Sequence, residues 1–457
     1  MTIKIRRIIY ITFIIIFIIL STAAIFYTSG YRYDFKKEKV EKKGGMILEF
    51  KPKEVKIYIN NEFKQKTNFL ADSFKITNLL PGEYLIKIEK DDYHYWEKKI
   101  KIESEKINFV KNIVLFKKQN LPKIIFDKEN IEIFQIPNKN KLLIRQIDNN
   151  LSIFKIYNEK TKQILDVPNL KINDIENIKL KFSLNGNKIL LFGNYKNYIY
   201  DFNQQKLFSL ETKISKNIKI KNPRWDQHNK NIIFFLNQDR EIFMLNLVNY
   251  DFKKIFSLNK KEKSVIINDF YVNKDEIYLI TKNSLIKTDK QNSYKQILLT
   301  NISTESKFKP CPKQYITLID KIENNLIIFD KEKEKIVVQD NAKNILWSEK
   351  LDDNCYLIAY NNDFEIYTSN LELNKKELII RHSEPISQIA WHPDYAHLFF
   401  THDNSINIVE TCENIEKNSN LLFENKNIKN IMINNNKDKI YFRGSIGSQK
   451  GLFELDI

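Results

Sequence analysis

The first strong pattern in the chain is a run of apolar residues near its N-terminus. No charged residue occurs between Ile8 and Tyr31, and residues 8–27 read IIYITFIIIFIILSTAAIFY. About 20 apolar residues form a helix that is long enough to cross roughly 30 Å of hydrocarbon. The pattern therefore predicts a transmembrane helix over residues 8–30, preceded by a short N-terminal tail over residues 1–7 and followed by a charged linker over residues 31–43.

After the linker, apolar and polar residues alternate at the period of a β-strand. The alternation is clearest in residues 46–50, 55–59, 84–88 and 96–102. Asn60 and Asn61 suit the positive φ angles of a tight hairpin, and Pro81-Gly82 predicts a second turn in which Gly82 takes the left-handed conformation. Residues 44–116 are therefore predicted to form a small antiparallel β-domain.

From residue 117 to the end, short strand-like runs recur about every 8 to 12 residues, and almost no segment has the pattern of an amphipathic helix. The runs group into longer units of about 35 to 45 residues, which is the length of one four-stranded propeller blade. Eight units are predicted, the last one short of a strand, with seven as the alternative; they start near Ile124, Ile175, Ile218, Val265, Phe308, Ala342, Ile386 and Ile428. Closing the ring would need a strand near residues 121–126 to complete the last sheet.

Charges beside the apolar run predict its orientation. Lys4, Arg6 and Arg7 precede it, and positive charge favours keeping the short N-terminal side in the cytoplasm. The basic residues of the linker partly balance this bias. A cleaved signal peptide, processed near the small residues 21–24, is the alternative. Because the apolar run continues to Tyr27, we expect an uncleaved single-pass anchor in the cell membrane, with the following domains outside the cytoplasm.

Composition narrows the classes of partner. The 457 residues are 42% hydrophobic, which supports packed domains, and the formal net charge is +17. The lysines are spread along the whole chain rather than gathered in a patch with aromatic residues, which argues against nucleic acid as a partner. Cys311, Cys355 and Cys412 lie far apart without metal-binding spacing, so one disulfide with one thiol left over remains an open alternative.

Two groups of motifs resemble known families. Residues 52–61, the Leu-Pro-Gly-Glu-Tyr turn at 80–84 and the aromatic end at 91–96 are together similar to a PEGA domain, although Asn61 and Asp92 stand where glycine is commoner. The resemblance implies an envelope β-sandwich used for binding or spacing, with no catalytic residues. In the C-terminal region, residues 182–202, residues 223–247 and Trp391-His392-Pro393-Asp394 resemble the turns and strands of TolB-like and WD-like propeller repeats.

Candidate site residues are few. Tyr93, Tyr95 and Trp96 would form a sugar-stacking face if exposed, the alternative being that they belong to the core. The sequence shows no Gly-rich phosphate loop, no GxSxG elbow and no Cys/His pair, so we predict no catalytic residues and no cofactor. A further group comprises His382, His392, His397 and His402 with Asp394 and Asp403, residue types that can bind a metal ion. The spacing of these residues matches no metal-binding motif, so we predict no metal.

The predicted fold class is thus all-β: a transmembrane helix, a small PEGA-like β-sandwich and a seven- or eight-bladed β-propeller over residues 117–457. The predicted function is that of a non-enzymatic binding or scaffold protein of the bacterial cell envelope, whose propeller presents a surface to a protein or a cell-wall glycan. The alternative is an envelope hydrolase or lyase that acts on a glycan or peptide. The enzyme predicts converging acidic or histidine side chains in the propeller channel, whereas the binding protein predicts a channel mouth lined by Lys, Asn and aromatic residues with no strained titratable pair.

Overall fold

A computed structural model describes residues 3–34, 38–118, 121–173, 178–193, 196–214, 218–238, 240–258, 265–349, 357–411, 416–434 and 438–457. The chain divides into two compact units. Unit 1 comprises Met1–Asn120 with Cys412–Leu422, and unit 2 comprises Leu121–Thr411 with Phe423–Ile457. The domain boundaries given above remain predictions.

Unit 1 begins with an apolar helix, α1 (Ile3–Thr28). Its segment Ile5–Thr28 is long and apolar enough to cross a membrane, is not buried by the rest of the protein, and is the one such helix among the described residues. A hairpin of β1 (Tyr31–Asp34) and β2 (Lys39–Lys42) follows it. Arg32 links β1 to the end of α1, because its guanidinium lies 3.3 Å from the centre of the Tyr27 ring and donates a 2.7 Å hydrogen bond to the Tyr27 carbonyl.

The rest of unit 1 up to Val114 is a β-sandwich. One sheet has three strands in the order β6-β3-β9 and the other has four in the order β5-β4-β7-β8. Side chains that alternate along the strands, such as Met46, Leu48 and Ile86, meet in a common core. The strands are β3 (Gly44–Lys51), β4 (Lys56–Ile59), β5 (Glu62–Lys66), β6 (Ser73–Leu79), β7 (Gly82–Glu89), β8 (Trp96–Ile102) and β9 (Ile107–Val114).

The two predicted turns of this region have different outcomes. Asn60 and Asn61 have φ angles of 50° and 66°, as the hairpin requires, and this prediction is confirmed. The prediction for Gly82 is wrong: Gly82 opens strand β7 without a positive φ. The left-handed residue nearby is Asn78, with a φ of 67°, at a bulge where β6 shifts its register against β3.

Unit 2 contains eight four-stranded sheets within the described residues, except that the last strand of the seventh sheet, β38 (Ser419–Glu424), begins in the segment Cys412–Leu422 assigned to unit 1. The first three blades are blade 1, with β11 (Ile131–Gln135), β12 (Lys141–Asp148), β13 (Leu151–Asn158) and β14 (Gln163–Asn173); blade 2, with β15 (Lys179–Phe182), β16 (Lys188–Phe192), β17 (Asn197–Asp201) and β18 (Lys206–Ser209), followed by the 3-10 helix Leu210–Lys213; and blade 3, with β19 (Lys221–Trp225), β20 (Ile232–Asn237), β21 (Glu241–Asn246) and β22 (Phe252–Ser257).

The next four blades repeat this order, from the innermost to the outermost strand. They are blade 4, with β23 (Asp269–Asn273), β24 (Glu276–Ile280), β25 (Ser284–Asp289) and β26 (Lys295–Thr300); blade 5, with β27 (Ser306–Lys309), β28 (Tyr315–Asp320), β29 (Asn325–Asp330) and β30 (Lys335–Asn341); blade 6, with β31 (Asn344–Trp347), β32 (Leu357–Asn361), β33 (Glu365–Asn370) and β34 (Lys375–Arg381); and blade 7, with β35 (Ile386–Trp391), β36 (His397–His402), β37 (Ser405–Glu410) and β38 (Ser419–Glu424).

Blade 8 closes the ring. It is built from β39 (Lys426–Ile433), β40 (Lys439–Ile446) and β41 (Gln449–Asp456), and its outermost strand is β10 (Lys123–Asp127) from the start of the unit. β10 pairs antiparallel with β41, for example through Ile124 opposite Phe453. The expected closing strand is therefore present. Ile124 was predicted to begin the first blade, and this prediction is wrong because Ile124 lies in β10, the outermost strand of blade 8. Ile175, another predicted start, is outside the described residues.

The core of unit 2 lies between neighbouring blades. Leu143 and Phe154 of blade 1, for example, pack against Ile189 and Leu191 of blade 2. Similar apolar clusters join most other neighbouring pairs, including blades 8 and 1. Because each sheet is covered on both faces, the second strand of most blades consists largely of buried residues, as in β20 and β28. The innermost strands β11 and β39 are also in contact, which completes the ring.

Candidate functional site

The turns that join the first and second strands of the blades meet on one face of unit 2. Two cavities share Asn138 there, and we call their lining residues the mouth. The larger cavity, of about 550 Å³, is lined by turns of blades 6, 7, 8 and 1: Asn138, Asn140, Glu349, Trp391, His392, Pro393, Tyr395, Ile433 and Asn434. The smaller, of about 410 Å³, is lined by turns of blades 1, 2 and 3: Asn138, Leu184, Asn185, His228, Asn229 and Lys230.

Hydrogen bonds tie several of these turns to the next blade. They run from blade 1 to 2, from 2 to 3 and from 3 to 4: Asn138 Nδ2 to Leu184 O (3.1 Å), Lys139 Nζ to Asn187 Oδ1 (2.6 Å), Lys188 Nζ to Asn231 Oδ1 (3.1 Å), and His228 Nε2 with Asn273 Oδ1 (2.9 Å). Such bonds hold neighbouring turns in fixed relation. The part of the mouth that blades 1 to 3 form is therefore a connected surface rather than a set of independent loops.

Most asparagines of the mouth are used by their own turns. Asn185 Oδ1 accepts the backbone N–H of Asn187, and Asn229 Oδ1 accepts that of Asn231. Asn434, which is 3% exposed, accepts the backbone N–H groups of two residues of its own turn. Asparagine favours these turns because its side chain substitutes for a backbone acceptor. The side chains that give the larger cavity its chemical character are therefore Trp391, Tyr395 and His392.

The Trp391-His392-Pro393-Asp394 turn holds a compact group of titratable residues. Asp394 Oδ1 accepts the backbone N–H groups of Ala396 (2.8 Å) and His397 (3.1 Å) and lies 2.9 Å from His392 Nδ1, while Oδ2 is 2.7 Å from His397 Nδ1. Burial disfavours the charged carboxylate, but the hydrogen bonds from His392 and His397 outweigh it and hold the pKa of Asp394 well below its usual range.

The histidine group proposed from the sequence divides in two. His392, Asp394 and His397 offer ligand atoms within 4.8 Å of one another, a spacing that a cation could bridge. His382 and His402 form a separate pair, with ring centres 3.7 Å apart, at the opposite end of β36. Because Asp394 already accepts backbone and imidazole hydrogen bonds, its arrangement is explained as a brace for the turn. The absence of a metal remains a prediction.

The central channel of unit 2 is bordered by the innermost strand of each blade. Two acidic residues lie on these strands, Glu132 and Asp269, and each is engaged by an arginine. Glu132 Oε2 accepts a 2.9 Å hydrogen bond from Arg145, and Asp269 pairs with Arg224 while also accepting the backbone N–H of Phe308 at 3.0 Å. Within the described part of the channel, no group of carboxylates converges as general acid–base catalysis would require.

The predicted stacking residues of unit 1 do not share one face. Trp96 is 3% exposed inside the sandwich core and Tyr93 packs partly against that core, whereas Tyr95 is 53% exposed. An aromatic pair at the surface is formed instead by exposed Phe63 and half-buried Tyr58, which face each other across strands β4 and β5 with ring centres 5.7 Å apart. The sequence carried this signal, because the Asn60-Asn61 hairpin places Tyr58 opposite Phe63.

The cysteines offer one described thiol. Cys311 is a free, partly buried cysteine whose Sγ donates to the carbonyl of Tyr315 at 3.2 Å. Burial raises its pKa, which keeps the thiol protonated and unreactive near neutral pH. Cys355 and Cys412 lie outside the described residues, so the disulfide alternative stays open.

Comparison with known proteins supports the fold alone. No protein-family model and no curated protein sequence matches the chain. Among solved structures, the Dos1 propeller matches at 11% identity with a TM-score of 0.50, covering 72% of this chain and 94% of its own. The dihydro-heme d1 dehydrogenase NirN matches at 10% identity with a TM-score of 0.49, covering 71% and 74%. The Cps50 (Swd1) propeller domain of Myceliophteria thermophila matches at 9% identity with a TM-score of 0.41, covering 74% and 100%. Unit 2 is accordingly a β-propeller, and these identities assign it no activity.

Proposed function

We propose that the protein is a non-catalytic binding scaffold of the bacterial cell envelope, held by a single N-terminal membrane helix with its propeller outside the cytoplasm. Its mouth would bind a protein or a cell-wall glycan. The small β-sandwich, which is similar to a PEGA domain, would serve as a spacer. The exposed, apolar segment Ile5–Thr28 supports the anchor, and Lys4, Arg6 and Arg7 support the orientation.

The observation that carries the binding role is the construction of the mouth. A cavity of about 550 Å³, bordered by Trp391, Tyr395 and His392, is held by turns of four blades. Aromatic side chains beside a preformed polar cavity offer apolar contact and hydrogen bonds together, which suits both protein and glycan ligands. The lysine, asparagine and aromatic residues of the mouth are the types that the binding alternative predicts, whereas the titratable group of His392, Asp394 and His397 beside them is not.

The proposal that the protein is not an enzyme rests on how its titratable groups are used. Asp394, His392 and His397 brace their own turn, and the channel carboxylates Glu132 and Asp269 are held by arginines. A general acid or base must reach a substrate proton, which these hydrogen-bonded groups are poorly placed to do. No arrangement among the described residues favours the hydrolase or lyase alternative over binding.

Site-specific photo-crosslinking in living cells tests the proposal. A photoreactive phenylalanine analogue replaces Tyr395 at the mouth or, as the matched control, Leu165, which is 64% exposed on the outermost strand of blade 1. We expect a discrete adduct from position 395 alone. Digesting the adduct with protease or with muramidase identifies the ligand as protein or wall glycan. Equal adducts from both positions, or none from position 395, would reject the mouth as the binding site.

A further inference from the structure

The innermost strands of unit 2 carry an unusual charge balance. Across the whole chain, 74 basic residues face 57 acidic ones. On the eight innermost strands, the acidic residues are Glu132 and Asp269, and the basic residues are Lys179, Lys181, Lys221, Arg224, Lys307, Lys309, Lys426 and Lys429. Positive charge is therefore concentrated around the central channel.

Lys181 of blade 2 interacts electrostatically with basic residues of other blades. Leu180 and Phe182 of β15 pack into the core between blades 1 and 2, so Lys181 projects from the opposite side of the strand. The positive charges of Arg224 on the next blade and of Lys309 on blade 5 act on its ammonium group. Blades 2 and 5 are not neighbours in the ring, so the interaction between Lys181 and Lys309 acts across the channel that the innermost strands border. Solvent reaches Lys181, yet protein atoms surround much of it.

These ammonium groups have no acidic partner in the described structure. The described contact of Lys181 Nζ is with the ring of Phe192, 5.0 Å away, and no carboxylate pairs with Lys309. Burial, followed by the charges of Arg224, Lys179 and Lys309, lowers the pKa of Lys181 to about 8 against the opposing effect of Asp269. Burial and then Lys321 lower the pKa of Lys309. Confined like charges of this kind are relieved when an anion enters.

The spacing of the lysines indicates the form of the ligand. Lys179 and Lys181 are two residues apart on β15, and Lys307 and Lys309 are two residues apart on β27. Residues two apart on a strand are separated by roughly 6.6 Å and point to the same side. Two such pairs, on innermost strands three blades apart, form rows of charge along the channel, which a single small ion would not span. Lys307 Nζ also donates a 3.2 Å hydrogen bond to the carbonyl of Asn268.

We propose that the central channel of unit 2 binds a linear polyanion, a polymer segment bearing successive phosphate or carboxylate groups. Lysine ammonium groups recognise either group as point charges, so the chemistry is shared between them. This inference rests on the proposed function for the location of the propeller, and it deepens that function by naming a class of ligand.

A binding titration on the detergent-solubilised full-length chain tests the inference. The probe is fluorescent linear polyphosphate, compared with inorganic orthophosphate, polygalacturonate and neutral dextran. The channel variant combines Lys181→Gln with Lys309→Gln. The matched control combines Lys253→Gln with Lys335→Gln, which removes the same charge from exposed positions of the outermost strands β22 and β30.

We expect the channel variant to weaken polyphosphate binding by about tenfold or more, with a shallower salt dependence, and the control by less than about twofold. Polygalacturonate should also bind, and dextran should not. Equal losses in both variants would place binding on the general surface and overturn the inference. If orthophosphate binds as tightly as polyphosphate, the inference that the ligand is a polymer is overturned. Because this measurement is independent of membrane topology, its failure is distinguishable from failure of the proposed location.

A second measurement needs no substitution. An amine with a pKa of about 8 is substantially neutral at pH 8, so Lys181 should react with an acylating reagent faster than exposed Lys253. Bound polyphosphate should slow acylation of Lys181 and leave Lys253 unaffected, as measured by peptide mass spectrometry. Unchanged acylation of Lys181 under saturating polyphosphate would contradict binding in the channel.

Discussion

The side chain of Asp394 accepts hydrogen bonds from two backbone amides and interacts with two imidazoles. In the Asp394→Asn variant one acceptor becomes a donor and the negative charge is lost. We expect the free energy of unfolding to fall by about 1–3 kcal/mol at pH 7. The matched control is Asp226→Asn in the corresponding turn of blade 3, where the carboxylate accepts the backbone N–H of His228; we expect a smaller loss there.

The pH dependence of this difference has a definite sign. Because folding lowers the pKa of Asp394, its carboxylate stabilises the fold above the unfolded pKa of about 3.9 and loses that effect as the pH falls through the folded value. The difference in the free energy of unfolding between the parent protein and Asp394→Asn should therefore be constant near neutral pH and become smaller below about pH 4. Urea unfolding followed by tryptophan fluorescence measures it. A difference in unfolding free energy that grows as the pH falls would contradict the proposed role of Asp394 in stabilising its turn.

The residue scale is also where reasoning from the sequence is weakest. Tyr95 and Trp96 are neighbours in sequence, yet strand geometry turns one to solvent and the other into the core. Similarly, His397 and His402 are only five residues apart, yet they lie at the two ends of strand β36. Proximity in sequence therefore suggested one aromatic face and one histidine group only as hypotheses, and the fold divides both. The asparagine-rich turns of the mouth, in contrast, were foreseeable from composition.

Closure of the propeller depends on β10 lying close against β41. Gly451 permits this approach, because a Cβ atom there would lie 1.9 Å from the carbonyl oxygen of Phe126. We expect Gly451→Ala to separate the two strands, to speed amide hydrogen exchange across Lys123–Asp127 and to lower the Tm of unit 2. Gly82→Ala is the control, since Gly82 also lies in a strand and has open space around it. Protected β10 amides in Gly451→Ala would show that closure does not depend on this contact.

At the scale of elements, the strands that were predicted share a clear alternation. β3, β4, β7 and β8 each place apolar residues on one face, which the sequence shows directly. β5 was missed because all five of its residues are exposed, so no apolar period marks it. Starts of the later blades were found close to their first strands because each blade repeats a buried middle pair, such as β28 and β29.

For the whole molecule, the all-β class and the propeller were predictable because they depend on repeated, local patterns. The blade number was left between seven and eight because the last sheet borrows its fourth strand, β10, from more than 300 residues earlier in the chain. The basic channel was not predicted at all. Its lysines lie on separate strands, for example Lys181 and Lys309, and no sequence window brings them together.

The location of the propeller is the central claim, and protease treatment of intact cells that carry the full-length protein with a C-terminal tag tests it most directly. A carbonate wash of the membrane fraction accompanies it. We expect external protease to remove the tag, and the untreated protein to resist extraction, because the segment Ile5–Thr28 spans the membrane with the rest outside. A tag protected in intact cells but cleaved after lysis would contradict the account and place the propeller in the cytoplasm.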